Sequence, residues 1–144
     1  MLTDSTRQLA TDLRTSMTRL VKKLRKESVT GQLLSLTERS VMAMLQNKKM
    51  LPGELASAEK ITNQSMSQIL AHLQELGFIN RETLDSDKRK VLISLTDTGE
   101  KTLMRVRSER DEWLTKAIGE TCSKEDQHVL RQAAEVLVKL VDFD

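Results

Sequence analysis

The chain has 144 residues, 38% hydrophobic and 31% charged, with a formal net charge of +2. That length supports one domain with a core, or one domain plus an extension, and so mild a charge does not by itself argue for nucleic acid. A single cysteine excludes an internal disulfide, and with no apolar run of about 18 residues and no apolar core in the opening MLTDSTRQLATDLR, the expected location is cytoplasmic, with no membrane partner.

Leu9, Leu13, Met17, Leu20 and Leu24 recur at helical spacing, which predicts one amphipathic helix over roughly Thr3 to Ser28, with Arg and Lys on its polar face and Gly31 near its end. Thr37 is the expected cap of a second helix with Val41, Met42, Met44 and Leu45 inward. Pro52 can open a short third helix at its first position. Leu55 and Ala56 give that helix an inward side, and Ile61 closes the corner to the next.

Thr62 can cap the fourth helix, whose residues Met66, Ile69, Leu70, Leu73 and Leu76 form an apolar face. Its other face carries Asn63, Gln64, Ser65, Ser67, Gln68, Ala71 and His72. These side chains are short or amide-bearing and can lie against base edges, because Asn and Gln pair two groups of adenine and Ser bonds either way. A solvated surface helix usually carries Lys, Glu and Arg, yet from Ile61 to Leu76 the only formal charge is Glu75. Gly77 can end the helix in a left-handed conformation.

Phe78 to Thr83 and Lys90 to Leu95 read as two strands, the second alternating Val91, Ile93 and Leu95 inward against Lys90, Leu92 and Ser94. Leu84, Asp85, Ser86, Asp87, Lys88 and Arg89 join them. Arg89, with Lys88 and Lys90 beside it, can enter a narrow minor groove or clamp a phosphate, Asp87 can hold the guanidinium, and Arg81 can take a backbone phosphate. Short helix, turn, amphipathic helix and charged hairpin in this order predict a winged helix-turn-helix that binds double-stranded DNA. The fold class is therefore mainly α with a small β-hairpin wing.

Thr98 to about Gly119 forms a long helix through Leu103, Val106, Trp113, Leu114, Ala117 and Ile118. Ser123 with Asp126 makes a capping box for a last helix through Val129, Leu130, Ala133, Leu137 and Leu140. Met1 to Leu34 holds seven basic and three acidic residues, whereas Thr96 to the end holds eight basic and eleven acidic ones. This polarity suits a DNA-facing side and a partner-facing side. The single domain 1–144 thus divides into a DNA-binding lobe, 35–97, and helical segments 1–34 and 98–144 whose apolar stripes must pack on one another or on a second copy. A homodimer follows, with two reading helices addressing half-sites some 34–36 Å apart.

The segments LTERSVMAML, PGELASAEKITNQSMSQILAHLQELGFINR and DKRKVLISLTDTG, followed by the final helical pair, resemble the MarR family of bacterial transcriptional regulators over nearly the whole chain. The resemblance implies a triangular homodimer held by the first and last two helices and bound to a pseudo-palindromic operator. It implies a dimeric, sequence-specific regulator of transcription, a repressor, released by a small anionic or aromatic ligand lodged between the dimerisation helices and the winged-helix lobe. By position, Asn63, Gln64, Ser65, Ser67 and Gln68 would face bases or phosphates, His72 would sit near the DNA backbone, and Arg89 would be the wing-tip arginine braced by Asp87. Two departures stand out. Gln68 and His72 occupy positions where the family often has an arginine, so phosphate attraction falls to Lys48, Lys49, Lys60, Arg81 and the wing. Leu84, Asp85 and Ser86 replace the usual acidic residue and proline at the start of the wing.

Other chemistry has little support. Relatives that sense peroxide carry a first-helix cysteine with tyrosines, and this chain has no Tyr. Cys122, just before the last helix, is the one alternative redox handle, and a winged-helix protein-interaction module is the other alternative. His128 lies near Cys122 without a set of ligands at metal spacing, so neither metal nor cofactor is expected. The seven methionines suit a pliable core. No Gly-rich phosphate loop, paired nucleophile and base, or apolar carboxylate pair points to an enzyme.

Overall fold

The structure is a computed structural model that describes residues 3–144; Met1 and Leu2, which open the predicted segment 1–34, lie outside the described residues. Thr3 caps α1 (Asp4–Lys26), its hydroxyl oxygen accepting the Thr6 amide at 3.1 Å. Lys23, Arg25 and Lys26 in the last turn suit the negative end of the helix dipole. The helix stops short of the predicted Ser28, because that side chain turns inward and caps a single 3-10 turn, Thr30–Leu33, by accepting the Gly31 amide at 2.9 Å.

The expected cap of the second helix, Thr37, is not the one used. Ser35 caps α2 (Leu36–Met44): its hydroxyl oxygen accepts the Glu38 amide at 3.0 Å, and the Glu38 carboxylate accepts the Ser35 amide at 2.8 Å. Two end amides are satisfied reciprocally, where Thr37 alone would satisfy one. α3 (Pro52–Glu59) starts on its proline as expected, with Glu54 accepting the Leu51 amide at 2.9 Å. α4 (Asn63–Glu75) follows after a short corner and ends before Gly77, whose φ of 79° is the left-handed turn that glycine adopts without steric conflict.

β1 (Ile79–Thr83) and β2 (Val91–Leu95) pair antiparallel from Ile79 opposite Leu95 to Thr83 opposite Val91. Each is one residue shorter than predicted, Phe78 and Lys90 falling outside the ladder. Met50, in the α2–α3 connection, adds a two-bond bridge to Ile93, with N···O distances of 3.0 and 2.8 Å. α5 runs Asp97–Thr121, longer than the predicted 98–119, and Thr96 caps it by accepting the Gly99 amide at 2.9 Å. The predicted capping box of Ser123 and Asp126 opens α6 (Lys124–Val141), with both bonds at 3.0 Å.

The core gathers residues of α2, α3, α4, the hairpin and the first half of α5, with Leu34 just before α2. Leu34, Val41, Met42, Leu55, Met66, Leu70, Leu73, Ile93 and Leu103 are all but inaccessible. Each such leucine contributes about 2 kcal/mol of apolar transfer. α4 is held there by Met66, Leu70 and Leu73, and α5 by Gly99, Leu103 and Val106 in its first half. Neither α1 nor α6 has a buried residue: Leu9, Met17, Leu20, Val129, Leu130 and Leu140 stand exposed.

Candidate nucleic-acid interface

The geometry of α4 begins at its corner. Lys60 takes φ 56°, a left-handed conformation unusual for a side chain with a Cβ, and the turn closes through the Ile61 amide on the Ala56 carbonyl at 3.1 Å. Thr62 then caps α4, accepting the Ser65 amide at 3.0 Å, while its hydroxyl donates to Ser65 Oγ at 3.0 Å. With that lone pair taken, the Ser65 hydroxyl keeps its proton to donate outward. The Ser67 hydroxyl instead donates to the Asn63 carbonyl at 3.0 Å, so it faces a ligand as an acceptor.

Thr62, Asn63, Gln64, Ser65, Ser67, Gln68 and Ala71 are all exposed. Among the described residues, no hydrogen bond engages the side-chain amides of Asn63, Gln64 or Gln68. The inward residues anchor this surface, since Met66 and Leu73 have no accessible area and Leu70 almost none. An anchored helix with unengaged amides can present donors and acceptors in a fixed pattern, which is what base-edge recognition requires.

His72, expected beside the DNA backbone, is half-exposed, and its Nδ1 is hydrogen-bonded to the Glu38 carboxylate of α2. Arg81 on β1 donates from Nε to Gln74 Oε1 of α4 at 2.7 Å, which ties its guanidinium to that helix. Lys49, one of the lysines assigned to phosphate attraction, pairs with Glu82 at 2.8 Å on the open surface. Such an exposed pair is weak and leaves Lys49 available to a phosphate.

The hairpin tip closes by two backbone bonds, the Leu84 amide on the Lys90 carbonyl at 3.1 Å and the Lys90 amide on the Asp87 carbonyl at 3.0 Å. Asp87 Oδ1 accepts both the Arg89 amide at 3.0 Å and Arg89 Nε at 3.3 Å. The Arg89 side chain is nonetheless 92% exposed, so Asp87 fixes its root and leaves the guanidinium outward. Lys88 and Lys90 flank it, both exposed.

Three partners in this region have no counterpart in the sequence reading. Glu38 and Ser40, both on α2, reach α4 and α3: Glu38 bonds His72, and the Ser40 hydroxyl donates to Glu59. Arg39 between them is buried. The spacing of Ser35 and Glu38 was a usable sign of the capping box, but nothing local marks Arg39 as inward. Cys122 is half-buried as the C-cap of α5, beside the Thr121 hydroxyl at 3.7 Å. Among the described residues no group of three His, Cys, Asp or Glu side chains could hold a metal ion, and no helix is long and apolar enough to cross a membrane.

The sequence profile of the MarR family matches residues 34–91. Over 140 residues, 96% of this chain and 96% of the relative, the sequence is 34% identical to an uncharacterised HTH-type transcriptional regulator of Mycobacterium bovis, and to the same degree to one of Mycobacterium leprae. Among solved structures it is similar to a transcriptional-regulator candidate from Pseudomonas aeruginosa, with a TM-score of 0.85 and 26% identity over 99% of this chain and 100% of that one. A variant of S. aureus MepR, solved bound to an oligodeoxyribonucleotide, shares the fold with a TM-score of 0.69 at 18% identity, covering 92% of this chain and 97% of that one.

Proposed function

The chain belongs to the MarR family of transcriptional regulators, and from that premise we propose that it acts as a homodimer on a pseudo-palindromic DNA operator, as a repressor that a small anionic or aromatic ligand releases. The observation that carries the DNA reading is the outer surface of α4. The six exposed positions from Thr62 to Gln68, interrupted only by the core residue Met66, carry no formal charge. In this reading Asn63, Gln64 and Gln68 meet base edges, Ser65 and Ser67 supply one donor and one acceptor, and His72, Arg81, Lys88, Arg89 and Lys90 meet the backbone or the minor groove. The oligonucleotide bound to the MepR variant is consistent with such a use of this fold.

Dimerisation is supported by α1 and α6. Their apolar residues line an open groove that includes Leu9, Leu13, Met17 and Leu140, and neither helix is covered within one chain. A two-fold pair would cover both faces and set two reading helices about 34–36 Å apart. Fluorescence anisotropy on duplexes drawn from the DNA flanking the coding region tests the reading, together with sedimentation of the protein alone. Binding should weaken steeply with salt and resist random competitor DNA. Equal affinity for every duplex, or a monomer at micromolar concentration, would sink it.

A further inference from the structure

We propose that Ser67 and Ala71 of α4 select two adjacent A·T base pairs in the major groove. The Ser67 hydroxyl oxygen accepts from the 6-amino group of an adenine, and the Ala71 methyl group packs on the 5-methyl group of a thymine. The inference rests on the DNA reading above and adds to it which bases are chosen and by which atoms. Ala71 is exposed and its side chain has no polar atom, whereas the exposed side chains from Thr62 to Gln68 are all hydroxyls and amides. No Arg or Lys stands from Ile61 to Leu76, so the helix lacks the forked donor that reads guanine.

The Ser67 hydroxyl is committed. Its proton goes to the Asn63 carbonyl at 3.0 Å, which leaves lone pairs for a ligand. Turning that proton outward to guanine O6 or thymine O4 gives up the bond, whereas an amino group is met by the side chain as it stands. Ser65 is the opposite case, since its oxygen accepts from Thr62 at 3.0 Å and its proton is left over. Amino groups in the major groove belong to adenine and cytosine. Ala71 decides between them, because among the four bases a 5-methyl group stands only on thymine.

Position on the helix supports the pairing. Gln64, Ser67, Gln68 and Ala71 stand at i, i+3, i+4 and i+7, so they share one side of α4. Four residues advance the helix by about 6 Å, which carries Ser67 and Ala71 to neighbouring base pairs rather than to one. Leu70 is 1% exposed and Leu73 not at all, so the core holds the backbone at 71, and a methyl group on Cβ has no rotamer to adjust. Beyond Ala71 the surface changes. His72 is bonded to Glu38, Gln74 to Arg81, and Glu75, one turn further on the same side, carries a charge that phosphates repel. The part of α4 suited to the groove therefore ends at Ala71.

Base analogues test the assignment on the full chain, with the tightest duplex recovered from the DNA flanking the coding region and anisotropy at one salt concentration. Each thymine is replaced singly by deoxyuridine, which removes only the 5-methyl group, and each adenine by 2-aminopurine, which removes the 6-amino group. At one thymine in each half-site deoxyuridine should weaken the wild type about fourfold, the scale of one buried methyl group. Ala71→Gly should lose as much on the unmodified duplex and be blind to that deoxyuridine. Because glycine loosens a helix, Ala71→Ser, which keeps the Cβ and sets a hydroxyl against the methyl group, repeats the measurement. At an adjacent pair 2-aminopurine should weaken the wild type about fivefold, and Ser67→Ala should be blind to it. A wild type indifferent to deoxyuridine at every thymine, or Ala71 variants as sensitive as the wild type, overturns the assignment and leaves the operator reading in place. So does a wild type indifferent to 2-aminopurine at every adenine, or Ser67→Ala still sensitive to it, since the pairing then loses its serine. Failure to bind any duplex overturns the operator reading and the assignment together.

Discussion

Glu38 on α2 and His72 on α4 are hydrogen-bonded, carboxylate to imidazole Nδ1, while the other carboxylate oxygen accepts the Ser35 amide at 2.8 Å. One side chain therefore closes the start of α2 and tethers the proposed reading helix to it. Burial, the largest influence, pushes the Glu38 carboxyl up, but the Ser35 amide, the His72 side chain, the Ser35 hydroxyl and the His72 charge together outweigh it, so the group sits below its ordinary value of 4.5.

Glu38→Gln should destabilise the protein by about 1–2 kcal/mol at pH 7, the scale of a lost cap and a charge-assisted hydrogen bond. Because the folded pKa lies below the unfolded one, the stabilisation is fully present above about pH 4.5, the ordinary value, and fades as the pH falls below that through the folded value. Urea unfolding at pH 7, 4.5 and 3.5 should thus show the gap between wild type and variant closing at the acid end. A gap that persists undiminished would remove the ionised carboxylate from the account.

How much of this was legible depends on whether a contact is local. The spacing of Met66, Leu70 and Leu73 announced α4 because burial follows the 3.6-residue period, and all three are in the core. Ser123 and Asp126 announced α6 because a capping box is a four-residue event. The same signal existed at Ser35 and Glu38, but Thr37 competed with it, and the reciprocal pair won. Met50 bridged to Ile93 and His72 bonded to Glu38 were not legible, since each is imposed by chain distant in sequence, and Lys60 takes a left-handed conformation that its side chain gives no sign of. Within the candidate site, exposure of Gln64 and Gln68 could be read from the helix period, whereas the burial of Arg39 ran against its charge.

Gly99 is fixed by a close approach. A Cβ built there would lie 2.2 Å from the Phe78 carbonyl oxygen, a backbone atom pinned by the Thr96 amide at 3.0 Å. Neither helix α5 nor the start of β1 can yield without losing that bond. Gly99→Ala should cost about 3 kcal/mol or more, read as a lower urea midpoint at unchanged slope. A loss under 1 kcal/mol would mean that the α5 end shifts freely.

Gln64→Ala and Gln68→Ala probe direct readout. Both side chains are exposed and carry no core contact, so folding should be unaffected. If each amide pairs with a base edge, its loss should cost about 1–3 kcal/mol on the preferred duplex and much less on random DNA. Anisotropy titrations on both duplexes at one salt concentration separate the cases. Equal losses on the two would assign the glutamines to phosphates.

Arg89→Ala tests the hairpin. Since the side chain is 92% exposed and, among the described residues, is tied only to Asp87, the thermal midpoint should not move. A guanidinium that reaches a phosphate or a narrow minor groove releases counterion on binding, so its removal should weaken the complex and reduce the slope of log K against log salt by about 1. Asp87→Ala should weaken binding less, because the guanidinium keeps its charge and loses only its orientation. If Arg89→Ala leaves affinity and salt slope unchanged while Gln68→Ala does not, α4 alone carries the contact and the hairpin is a structural edge.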